Sequence, residues 1–212
     1  MAGQHRWSDE KLENFLQEMI REHPSEAVAE LVYCPTLEEY GSALRRHLPD
    51  HYQNEQVVAL QWRRTKTRNQ VATTVSDPYR LGLHTPSLII VYPVVKEYSP
   101  EECISLLKDH EYVHVQDWFD GIPINATRRI TAEEEPQFLK KTIIGIMKAR
   151  AYRHQLAVMP EYLKEERMGR AAKQRCQEHL RALDLLLYST LMPLERETIK
   201  LFLKEVGYTP RN

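Results

Sequence analysis

Apolar positions along the chain fall into two periods, and the place where one gives way to the other divides the sequence. Ser8 stands ahead of Leu12, Phe15, Leu16 and Ile20, whose three- and four-residue spacing predicts a capped helix with one buried stripe, closed by His23-Pro24. A short helix over 25–32 is expected next, then another over about 36–48 with Leu37, Tyr40, Leu44 and Leu48 on one face. From Gln56 the period shortens. Val57, Val58, Leu60 and Trp62 lead into the basic run 63–69, beyond which Val71, Thr73 and Val75 alternate, and this predicts a β-hairpin with a basic tip. After a turn-rich segment at 77–82, the run 87–92 (Ser-Leu-Ile-Ile-Val-Tyr) is apolar on both faces, as in a strand covered from both sides.

Beyond Ser99 the chain reads as helix. Ser99-Pro100-Glu101-Glu102 puts Ser at the N-cap, Pro at the first helical position and Glu at the third, so two orphan amides are satisfied reciprocally. This helix is expected to run to Asp120 and stop at Gly121 in a left-handed cap. A loop through Pro123 leads to a return helix that opens at Thr131 or Glu135 and is regular over 139–158. A third helix is expected from about 161 through 188, and Pro193 opens a last one with Ile199, Phe202 and Leu203 apolar. No repeat or Gly/Ser linker intervenes, so the pattern predicts one mostly helical α+β domain over 1–212. Its parts are N-terminal helices (1–52), a small sheet of about three strands (55–95), a central helix and its return (99–158), and C-terminal helices (160–208).

Composition narrows the classes. The 29 Lys and Arg balance 30 Asp and Glu to a formal net charge of −1, which speaks against nucleic acid or an anionic membrane as partner. Three cysteines with no CxxC argue against a disulfide framework and fit a reducing, cytoplasmic setting. No apolar run approaches the roughly 20 residues that span a bilayer, and the first residues lack the apolar stretch of a signal peptide. Nine histidines are the unusual feature.

Two of them stand in Asp109-His110-Glu111-Tyr112-Val113-His114-Val115-Gln116-Asp117-Trp118, inside the well-capped helix. His110 and His114, one turn apart, can take two positions of a tetrahedral Zn²⁺, and Glu111 then lies where a general base meets a metal-bound water. The plainer reading makes the two imidazoles core histidines, on the same face as Cys103, Leu107 and Trp118, with Glu111 bonded to one of them. Burying three such groups is costly unless something binds them.

The motif His110-Glu111-Tyr112-Val113-His114-Val115-Gln116, after a strand and before a second long helix, resembles the zincin metallopeptidases, in particular the small gluzincin-like proteins. The resemblance covers roughly 87–158. It implies Zn²⁺ held by His110 and His114, Glu111 as catalytic base, and a third ligand on the return helix, usually a Glu just before an Ala-Tyr or Ala-Asn pair. Here that stretch is Met147-Lys148-Ala149-Arg150-Ala151-Tyr152-Arg153-His154-Gln155, with cations at 148 and 150. Two arguments name a replacement. His154 is one turn from Arg150 on the face that the resemblance points inward. An antiparallel return starting near Thr131 instead brings the level of the metal to about 137–141, which favours Glu134 in the run 133–135. His154 is preferred and Glu134 is the runner-up, with His84, Asp117 and Asp120 behind. Asp117 and Asp120 otherwise suit acceptors for a ligating imidazole or solvated groups at the helix end.

The resulting expectation is a zinc-dependent hydrolase, a metalloprotease acting on a peptide or protein, with a strand near 88–92 pairing an extended substrate. The alternatives are a catalytically inactive zincin-like pseudoenzyme serving as an interaction module, and a hydrolase of a non-peptide bond. The basic run 63–69, beside Trp62, suits a nucleic-acid backbone, an acidic peptide or a solvated tip.

Overall fold

The computed structural model describes residues 7–76 and 81–211; the first four positions of the expected turn at 77–82 lie outside them, as does the N-terminal stretch before Trp7. The fold is α+β and mostly helical, as the pattern predicts, around a three-stranded sheet of order β1-β3-β2. The strands are β1 (Val28–Tyr33), β2 (Ala72–Val75) and β3 (Ser87–Val91). β3 is central, parallel to β1 and antiparallel to β2, and all five of its residues are buried.

Alternation along β3 decides what each face meets. Leu88, Ile90 and Tyr92 pack on Tyr40, Leu44, Val58 and Trp62 from α2 (Leu37–His47) and α3 (Glu55–Thr67). Ile89 and Val91 pack instead on Leu12 and Leu16 of α1 (Asp9–Glu22) and on Cys103, Leu107, Val115 and Phe119. The last four belong to one helical path made of α4 (Pro100–Leu106), a π-helical turn at Leu107–Glu111, and α5 (Tyr112–Asp120). Behind it a third layer joins α6 (Lys140–Val158), α8 (Arg167–Leu187) and α9 (Pro193–Glu205) around Ile143, Ile146, Leu183 and Phe202.

Several expectations are corrected. Residues 28–33 form a strand, not a helix: Val28, Val32 and the alternately buried Leu31 and Tyr33 fit the free edge of β3. The first arm of the expected hairpin is helix α3, capped by the Asn54 side chain, which accepts from the amides of Gln56 and Val57. Its buried residues, Val58, Trp62 and Thr65, keep helical spacing, while Val57 and Leu60 are exposed. The sheet therefore has three strands, but β1 replaces the segment around 57–62.

The helix start at Ser99 carries the full capping box. Its end at Gly121 has φ 84° and ψ 163°, extended with positive φ rather than left-handed helical, a region open essentially to glycine. A Cβ there would lie 2.6 Å from the Ile130 carbonyl oxygen. The loop that follows holds a two-residue ribbon, β4 (Ile122–Pro123) with β5 (Arg129–Ile130), so the return helix begins at Lys140, not at 131 or 135. The third expected helix is two, α7 (Glu161–Lys164) and α8. Among the described residues no helix is long and apolar enough to cross a membrane.

Candidate functional site

An α-helix turns 3.6 residues per turn, so a four-residue repeat drifts about 40° at each step. Cys103, Leu107, Glu111, Val115 and Phe119 keep that repeat and are all buried. The π turn, with its i→i+5 bonding, holds more residues per turn and takes the drift back. Glu111 is thus delivered toward the sheet face that carries Ile89. Thr74 lies opposite Ile89 in the β2–β3 ladder and shares that face, and its hydroxyl donates to Glu111 Oε2 at 2.8 Å.

The two imidazoles meet edge to face, with ring centroids 4.9 Å apart at 84°. Both are deeply placed, and burial drives their pKa down, that of His110 to about 4 and that of His114 well below the ordinary value. They are neutral at pH 7. Burial raises Glu111 from 4.5 to about 7, against the hydrogen bond from Thr74 and the nearby Lys148. Protonation of Glu111 therefore favours the fold; this contribution is full below about pH 4.5 and is lost as the pH rises through about 7. Glu111→Gln, which keeps an acceptor for Thr74 but never ionises, is expected to stabilise the metal-free protein by about 2 kcal/mol at pH 8.5. At pH 5 the gain disappears. Urea unfolding at the two pH values measures this; a gain of equal size at both would contradict it.

Helix α6 runs antiparallel to the motif helix. Gln155 donates to Ser105 Oγ at 3.2 Å, the Tyr152 ring lies 4.4 Å from that of His110, and Arg150 Nε donates to Asp117 Oδ1 at 3.1 Å. Lys148, one turn from Tyr152 on the same face, thereby comes level with His114. Its charge is felt by Glu111, His110, His114 and His179. Lys148 is exposed by area, yet loss of hydration still lowers its pKa, with Glu111 opposing and Arg68 and Arg175 adding to the fall.

The remaining candidates are elsewhere. His154 is exposed and couples to Asp109. Glu134 sits in the turn before α6, 3.7 Å from Arg128. His84 and Asp120 pair with each other at 3.4 Å at the end of α5. Asp117, 1% exposed, serves Arg150 rather than an imidazole. The strand expected to receive substrate, β3, is paired on both sides, so the sheet edge beside Glu111 is β2. Sequence reasoning missed Thr74, visible only through strand register, and His179, which stacks on Tyr152 at 6.0 Å and 13°.

Zinc sites in proteins ordinarily have at least three protein donors, and a ligating imidazole hands its other N–H to an acceptor. Here two neutral imidazoles are in place, but among the described residues no group of three His, Cys, Asp or Glu side chains assembles around them. Position 148 brings an ammonium, and the polar side chain beside His110 is the Gln155 amide. Comparison with protein-family models, curated proteins and solved structures gives no match.

Proposed function

We propose that the chain is a zincin-like protein that has given up metal-based hydrolysis and works as a binding module. Lys148 carries this reading: the return helix brings a cation to the level where the resemblance calls for an acidic ligand. Arg150, the second cation in that stretch, is committed to Asp117. The partner best suited to the terminal strand β2 is an extended peptide added to its edge beside Thr74 and Glu111. Three buried free cysteines, Cys34, Cys103 and Cys176, support a reducing compartment as part of the same proposal.

A second reading, the zinc metallopeptidase, is favoured by one observation: Glu111 is intact, buried beside two neutral imidazoles and held near neutrality in its pKa, as a general base requires. Metal analysis after dialysis against equimolar Zn²⁺, together with a casein digest, separates the two. The binding-module reading expects sub-stoichiometric zinc, the same in wild type and His114→Ala, and no cleavage. Stoichiometric zinc that is lost in His114→Ala and kept in Glu111→Gln, with cleavage abolished in the latter, overturns it.

A further inference from the structure

We propose that the groove between the last turns of α6, the middle of α8 and the C-terminal tail binds an apolar molecule carrying one anionic head group. The groove measures about 550 Å³, within the range of small-ligand sites, and shares no residue with the His110–Glu111–His114 site. Leu156, Leu180 and Val206 line it with Cys176, whose thiol burial keeps protonated, so the floor is apolar and uncharged. Around it stand Arg153 from α6 and Lys173 and Arg181 from α8, all exposed, and among the described residues no Asp or Glu lines the groove.

Two neighbouring carboxylates are committed elsewhere. Glu178 takes Arg175 and Gln174, and the buried Asp184 accepts from the Tyr208 hydroxyl at 3.1 Å and from the Arg211 amide. The same bonds fix the tail as one wall, helped by Gly207, whose φ of 69° turns the chain, and by the Tyr208 amide donating to Leu203 O at 2.8 Å. The groove is therefore formed before any ligand arrives, which lowers the ordering cost of binding. Three cations from two helices in a chain of net charge −1 concentrate positive potential at one place. A hydrated inorganic anion gains nothing from the apolar floor, and an uncharged hydrocarbon gains nothing from the cations. A molecule with an anionic head and an apolar body uses both.

Isothermal titration of the full chain with laurate below its micellar concentration tests the site, with dodecyl phosphate and dodecanol as parallel arms. Saturable binding of either anion is expected, with dodecanol at least about tenfold weaker, and the preferred anion identifies the head group. Arg181→Glu, with Lys173→Glu as a second charge reversal, is expected to weaken binding at least about tenfold. Ala157→Trp, at an exposed position lining the groove, is expected to abolish it while the far-UV circular dichroism stays unchanged. The proposal is overturned by equal affinity for laurate and dodecanol, by binding that ignores these substitutions, or by the absence of saturable binding of both anions.

Discussion

Replacing Lys148 by glutamate is expected to make the chain bind Zn²⁺ stoichiometrically, with an affinity at least about a hundredfold above that of the wild type. The expectation rests on the register of α6 against the motif helix, in which Gln155 meets Ser105, Tyr152 meets His110 and Arg150 meets Asp117. Position 148 then stands beside two imidazoles that burial already keeps neutral, the form in which they ligate. The substitution removes a cation that repels a divalent ion and supplies an oxygen donor. At ~4 Å and an effective dielectric of about 20, a pair of unit charges is worth on the order of 4 kcal/mol, so the change of sign is a large one. Lys148→Ala, which removes the repulsion without adding a donor, is expected to lie between the two. Chelator-competition titration measures all three. Equal affinity for the Glu variant and the wild type would remove position 148 from the site.

The largest loss of stability is expected from Arg150→Ala. Asp117 is 1% exposed and its pKa is pushed from 3.8 to about 7, with burial the main cause and Arg150 the main opposing influence. Without the guanidinium an ionised carboxylate would be left buried and unpaired, which costs about 3–5 kcal/mol. The cost depends on pH in a defined direction. Protonation of Asp117 favours the fold, fully below about pH 4 and progressively less as the pH rises through about 7. The variant should therefore be most impaired at pH 8 and closest to wild type at pH 5, where Asp117 enters the fold protonated. Urea midpoints at the two pH values give the result. A loss independent of pH would mean that Arg150 contributes through packing of its stem.

Features specified by a few adjacent residues were legible in the sequence. The capping box at Ser99, the stop at Gly121 and the doubly apolar strand at 87–91 each follow from local chemistry. Residues 28–33 and 57–62 were misread for one reason: each has β-branched and large apolar side chains whose order is consistent with either period. Pairing with β3 decides the first, and the Asn54 cap with the Val58, Trp62 and Thr65 stripe decides the second. At the site, the motif named His110, Glu111 and His114, which the structure brings together with Thr74 and Tyr152. The level of the return helix was misjudged because the β4–β5 ribbon delays its start by nine residues from 131 to 140. Moving the starting point by that amount carries the expected level from 137–141 to the neighbourhood of Lys148.

The π turn at Leu107–Glu111 gives the motif helix a phase as well as a direction. Upstream of it the capping box fixes Cys103 against the sheet, and downstream Val115 and Phe119 must meet the same sheet. The extra residue reconciles the two halves. Deleting one residue between 107 and 111 would restore an unbroken α-helix and leave Val115 and Phe119 near their present phase, because the wider turn already absorbs that residue. Closing the turn into α-helix at its present length would instead rotate everything beyond it by about 100°, and Glu111 would leave Thr74 and Asp117 would leave Arg150 at the same stroke. Side chains in this segment can be exchanged singly, but at this length the width of the turn is fixed by both ends at once.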